Sequence, residues 1–236
     1  MANTNFQVSG TDVDSLYIQK SQIYSSADKF LWSWGKNNYG QLGQNNTANT
    51  SSPVQIGALT TWSKVYGLQF AFIAIKTDGT IWSWGRNDNG QLGQGNITNY
   101  SSPVQIGSLS SWSNCFTGCS GTTLAIQNNG TLWSFGRNNY GELGQNNVDN
   151  TSSPVQVGSD TNWSKVATGG ETIYALKTNG TLWSSGLKQS ANNANLQSGN
   201  VTVFTQVGSD TYLDISCGAS FLAAIKTDGT LWVHGT

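Results

Sequence analysis

Three short polar clusters carry the side chains best suited to chemistry in this sequence: Asn37-Asn38-Tyr39, Asn87-Asp88-Asn89 and Asn138-Asn139-Tyr140. They recur at intervals of 50 and 51 residues. Amide groups beside an aromatic face suit neutral sugar hydroxyls, and repetition would add several weak contacts into one stronger attachment. The same asparagines can instead hold turns by bonding the backbone, and both roles stay open at this point. Catalysis is not expected, because the groups an acid, base or nucleophile mechanism needs do not come together. His234 is the single histidine. It falls in the column of Trp34, Trp84, Phe135 and Ser185, which makes it a strand residue near a sheet interface. Asp78 and Asp228 sit in turns that explain them, and Glu142 replaces a Gln without a partner carboxylate. No phosphate loop, His-Glu-x-x-His helix or Gly-x-Ser-x-Gly elbow is present. Cys115 and Cys119 have C-x3-C spacing, but Cys217 is the only other cysteine. No metal site and no cofactor are therefore expected, and the cysteines read as small buried side chains.

The polar clusters follow a pattern, Leu/Ile-Trp-x-x-Gly, that returns five times. Its tryptophans are Trp32, Trp82, Trp133, Trp183 and Trp232, and its glycines Gly35, Gly85, Gly136, Gly186 and Gly235. A fixed period of about 50 residues is one supersecondary unit copied along the chain, with room for four short strands. In the second copy Trp62-Ser63-Lys64-Val65 opens the unit and Phe70-Ala71-Phe72-Ile73-Ala74-Ile75 is an apolar run. Asp78-Gly79 is a hairpin signal, and Ile81-Trp82-Ser83-Trp84-Gly85 follows. After the polar loop, Ser101-Ser102-Pro103-Val104-Gln105-Ile106-Gly107 reads as an edge strand, because proline cannot donate to a ladder. The regular aromatics are expected to fill space between packed sheets.

The expected fold is an all-β propeller of about five four-stranded blades in a single domain, 1–236. The blades span about 11–57, 62–107, 112–158, 163–208 and 212–235, and strand 6–10 completes the last one. Phe6-Gln7-Val8-Ser9-Gly10 resembles the fourth strand that the final copy lacks, and closing the ring would remove an exposed sheet edge. The rival is an open arc of blades covered by another chain.

Charged residues make up 10% of the chain, 11 basic against 12 acidic. No Lys/Arg cluster could neutralise a run of phosphates, so nucleic acid is not an expected partner. No stretch approaches 18 consecutive apolar residues, so membrane insertion is not expected. Met1 to Gly10 shows no signal peptide, which predicts synthesis in the cytoplasm. The Asn-x-Ser/Thr sequons at Asn49 and Asn99 read as accidents of an Asn/Thr-rich chain. A surface made soluble by Asn, Ser, Thr, Gln and Gly is common on secreted or particle-borne β-proteins.

The stretch Lys76-Thr77-Asp78-Gly79-Thr80-Ile81-Trp82-Ser83-Trp84-Gly85-Arg86-Asn87, then Gly90-Gln91-Leu92-Gly93 and Pro103-Val104-Gln105-Ile106-Gly107, resembles the regulator of chromosome condensation repeat. The resemblance covers about residues 29 to 235. It implies a β-propeller, typically seven-bladed, with binding work: nucleotide exchange on a small GTPase, scaffolding or adhesion. This chain has too few repeats for seven blades, lacks the histidine common in the repeat, and has lost Gly-Gln-Leu-Gly in the loop at 187–200. The close likeness of the copies is similar to bacterial and viral members. The opening at 5–17 resembles openings of some marine phage virion proteins. The function expected is a non-enzymatic interaction protein of a virion or microbial surface, structural, adhesive or host-recognising. Its partner would be a protein or a cell-surface glycan, within a larger assembly. The alternative is an intracellular exchange factor or scaffold.

Overall fold

In the computed structural model, residues 29–118, 121–187 and 200–235 are described. The described chain is all strand, turn and bend, with no helix. Three of the copies give antiparallel sheets whose strands follow one another in order. Strands β3 (Trp62–Leu68), β4 (Ala71–Lys76), β5 (Ile81–Gly85) and β6 (Tyr100–Gln105) form one. Strands β7 (Trp112–Thr117), β8 (Thr122–Gln127), β9 (Leu132–Gly136) and β10 (Thr151–Gln156) form the next. Strands β11 (Trp163–Thr168), β12 (Thr172–Lys177) and β13 (Thr181–Gly186) pair with the first half of β14 (Val201–Cys217). The second half of β14 carries on into β15 (Phe221–Lys226) and β16 (Leu231–Gly235), so one strand ends one unit and opens the next. Ahead of them, β1 (Trp32–Gly35) pairs with β2 (Thr50–Gln55). Phe6–Gly10, Val13–Tyr24 and Cys119 lie outside the described residues, as does most of the loop at 187–200.

Each strand forms where its residues predict. The apolar runs β4, β8 and β12 are buried along their whole length, as central strands covered on both faces must be. Pro53, Pro103 and Pro154 sit in β2, β6 and β10, at the outer edge of each sheet, where a missing N–H breaks no ladder. The turn Asp78-Gly79-Thr80 is locked by its side chains. Asp78 Oδ1 accepts from Thr80 N at 2.9 Å and from Thr80 Oγ1 at 2.7 Å, and Thr80 Oγ1 accepts from Trp82 Nε1 at 2.9 Å. Thr131 and Thr181 take the Nε1–H of Trp133 and Trp183 in the same way, at 3.0 and 2.9 Å.

The core lies between sheets. Ile73, Ile75, Ile81 and Ile106 of one pack on Trp112, Cys115, Ala125 and Phe135 of the next. Leu124, Ile126, Leu132 and Val157 meet Trp163, Val166, Ile173 and Ala175, and Tyr174, Leu176, Leu182 and Val207 meet Tyr212, Ile215, Leu222 and Ala224. Cys115 is therefore a buried apolar group, and burial pushes its thiol pKa well up. First strands of adjacent sheets lie side by side. They are tied by Thr117 Oγ1 to Gly67 O at 2.8 Å and by Thr168 Oγ1 to Thr117 O at 2.9 Å.

The last sheet breaks the pattern. Phe221, Ile225, Leu231 and Val233 share its outer face and are 40 to 70% exposed. Leu176 and Leu182 hold the columns of Ile225 and Leu231 one repeat earlier, and there they are buried against the following sheet. The outer face of β15 and β16 thus has the composition of a sheet–sheet interface.

Candidate binding rim

The loops that join third to fourth strands gather at one end of the sheets. At the head of each is an asparagine that is 0% exposed: Asn37, Asn87 and Asn138. Asn87 Nδ2 donates to Asn96 O at 2.9 Å and Thr98 O at 3.0 Å, while its Oδ1 accepts from Leu92 N at 2.9 Å. Asn37 and Asn138 make the matching bonds. These three amides are spent on the loop, because every polar atom faces a backbone partner at full burial. Asn87→Ala should therefore lower stability by about 2–3 kcal/mol, since the N–H and carbonyls it serves are left unpaired. A thermal melt checks this, and an unchanged midpoint would contradict it.

The rest of the motif is also consumed by the loop. Ser83 Oγ donates to Leu92 O at 2.8 Å and accepts from Gln94 Nε2 at 3.0 Å. Gly90 has a φ of +79°, and a Cβ there would lie 2.6 Å from Ser152 Cα of the next sheet, so only glycine lets the loop rest on its neighbour. Ser184 Oγ, where the Gly-Gln-Leu-Gly motif is lost, has no partner among the described residues.

What remains outward is Asn38, Tyr39, Asp88, Asn89, Asn139 and Tyr140. Tyr39 meets Phe70 of the next sheet with ring centroids 5.3 Å apart. The Arg86 guanidinium carbon lies 5.2 Å from the Tyr39 centroid and 5.8 Å from that of Phe70. Asp88 Oδ2 fixes it through Nε at 2.8 Å and Nη2 at 2.7 Å. Beside this cluster is a shallow, open cleft lined by Phe70, Arg86, Asn89 and Gln91 of the second sheet and Gly121 of the third among others, with about 30 Å³ of enclosed space, room for a water or two. Phe70, Arg86 and Gln91 were not among the candidate binding residues read from the sequence. Phe70 was visible as a repeat position held by different residues, since Gly121 and Glu171 take its place in the following copies.

The other junctions differ. Asn89 takes the place of Tyr39 and is tied to Asn150 Nδ2 at 3.3 Å. Arg137 lies 5.6 Å from the Tyr140 centroid and 3.5 Å from Glu171 Oε1. Three equivalent subsites are thus not what the rim presents. Glu142, in the column of Gln41 and Gln91, is 0% exposed. Its Oε2 accepts from Tyr140 N at 2.8 Å, and its Oε1 has no partner among the described residues. Burial holds its pKa above the usual carboxylate range, with Arg137 opposing. A raised folded-state pKa means that stability is lost as pH rises through it. Glu142→Gln should then raise the melting temperature at pH 8, with the gain shrinking towards pH 4. A gain that grew in acid would contradict this.

His234 stacks on Trp232 at 5.2 Å, and its Nε2 is buried without a partner among the described residues. Among the described residues no three His, Cys, Asp or Glu side chains could share a metal, and no helix is long and apolar enough to cross a membrane.

The regulator of chromosome condensation (RCC1) repeat matches residues 30–67, 78–125 and 129–176, more than half of the chain. No curated protein sequence matches. Among solved structures, human WBSCR16 superposes with a TM-score of 0.74 at 20% identity, over 89% of this chain and 57% of that one. Yeast RCC1 (Prp20), solved with Kap60, gives 0.70 at 16% identity, over 87% and 52%. Prp20p from Saccharomyces cerevisiae, a protein studied for its binding to Gsp1p and histones, gives 0.70 at 19% identity, over 87% and 51%. The chain spans a little over half the length of these structures.

Proposed function

Since this chain belongs to the regulator of chromosome condensation repeat family and carries its β-propeller fold, we propose that it is a non-enzymatic interaction protein that binds through its rim loops. One observation carries this reading. The buried asparagines, serines and glycines hold the loops rigid and leave a row of amide, tyrosine and acidic side chains facing outward at fixed spacing. Rigid presentation lowers the entropy lost on binding. The reading extends to a place on a virion or microbial surface, supported by the low charge of the chain and by its phage-like opening. Mass spectrometry of purified virions and cell-surface fractions tests the location; absence from both would overturn it. Photo-crosslinking from Asn38 and Asn139, against Asp78 and Asp228 at the opposite turns, tests the rim. Partner capture from the turns alone would overturn that part.

A second reading follows from the likeness in fold to Prp20p: nucleotide exchange on a small GTPase. It predicts accelerated release of a labelled guanine nucleotide, and no release from candidate GTPases would exclude it.

A further inference from the structure

We propose that this chain associates head to tail with further copies of itself, the outer face of β15 and β16 in one copy packing on the aromatic face of β1 in the next. This contact lies at the two ends of the row of sheets and is independent of binding at the rim.

Each junction between described sheets pairs the same two halves. One sheet offers aliphatic side chains from its second and third strands, such as Ile75 with Ile81, Ile126 with Leu132, or Leu176 with Leu182. The following sheet answers with the tryptophan of its own third strand, Trp133, Trp183 or Trp232, packed against them. Trp82 takes that place against Leu31 and Ile56 of the first sheet.

The row of sheets ends with both halves unmatched. Ile225 and Leu231 of the last sheet occupy the aliphatic columns and are exposed. In the first sheet Trp32 occupies the tryptophan column and is 49% exposed, with Phe30, two residues ahead of it, at 45%. Leu31 packs towards the second sheet, so the alternation along a strand turns Trp32 and Trp34 the opposite way. The last face is also more apolar than those inside. Val233 stands where Ser83 and Ser134 hold a rim loop by its carbonyls, and Phe221 where Thr122 and Thr172 lie. A patch of that kind marks a contact with another molecule.

A second copy fits because each copy brings the missing half. Both faces stay exposed in one molecule, so the fold of a single chain does not bring them together. Between copies they would repeat a junction that the chain already makes in its interior. Such a contact joins unlike surfaces, and it closes into a ring or runs on as a filament according to the rotation between copies.

Analytical ultracentrifugation of the full chain, from nanomolar to high micromolar concentration, tests this. The parent should form species larger than one chain, in proportions that rise with concentration. Leu231→Glu and Phe30→Glu should each weaken association about a hundredfold, since a charge without a partner would be buried. Both positions are exposed, so the circular dichroism of each variant should match the parent. Ile225→Glu and Trp32→Glu repeat the two disruptions at second positions. An equimolar mixture of Leu231→Glu and Phe30→Glu should give a dimer and nothing larger, because each supplies the face that the other has lost. A parent that stays monomeric throughout overturns the proposal, as does assembly that survives Phe30→Glu or a mixture that remains monomeric. If the chain is monomeric while rim crosslinks persist, binding at the rim stands and self-association alone falls.

Discussion

Replacing Trp84 by alanine should cost about 3–5 kcal/mol of folding stability. The indole is 1% exposed. It stacks on Phe72 with centroids 5.8 Å apart, meets Trp62 at 6.1 Å, and donates Nε1–H to Gln41 O at 2.9 Å. That last bond joins it to the loop of the preceding sheet, so the substitution loosens the sheet interface and the rim loop together. In a domain of this size each kcal/mol shifts the midpoint by about 2–4 °C, so the fall should be on the order of 10 °C. Trp32→Ala is the control. Trp32 is 49% exposed, and its loss should cost about 1 kcal/mol or less. Differential scanning calorimetry on the pair decides. Equal losses would mean that packing between sheets does not govern stability.

Removing residues 1–10 should produce the second large effect. The outer face of β15 and β16 presents Phe221, Ile225, Leu231 and Val233 where the preceding copy buries its equivalents. The sequence expectation is that Phe6–Gly10 supplies the strand completing this sheet. Completing the sheet would prepare this face to pack against a neighbouring sheet, and covering such side chains contributes roughly 1–2 kcal/mol each. The truncated chain should then melt about 5–10 °C lower and self-associate more readily, because an unpaired edge invites pairing. A truncated chain that melts like the intact one, and stays as soluble, would show that the N-terminal segment does not complete this sheet.

Most of the fold could be read directly. The Trp-x-x-Gly period, the Asp-Gly and Asn-Gly turns and the proline edge strands each report a local constraint, and each lies where its chemistry requires. Long-range packing was harder. Nothing in the sequence says that Asn87 turns inward and Asn89 outward, because both are asparagines in one polar run. The difference arises only when Asn87 meets Asn96, Thr98 and Leu92 across the loop. The ring cluster was invisible for a related reason. Tyr39 lies in the loop of one sheet, Phe70 and Arg86 side by side in the next, and the three meet only when the sheets pack together. The repeated residues were easiest to see and proved to be spent on folding. Positions where the copies differ are those the shared scaffold does not explain, and a single repeat read alone cannot show them.

That division between repeated scaffold and unrepeated positions is the central claim. Its most direct test is a pair of thermal melts on Asn87→Ala and Asp88→Ala, neighbours in one loop. The account predicts that Asn87→Ala, at a buried position the copies share, lowers the midpoint by several degrees, while Asp88→Ala, exposed and differing between copies, shifts it by no more than about 2 °C. Equal losses, or a larger loss in Asp88→Ala, would contradict it.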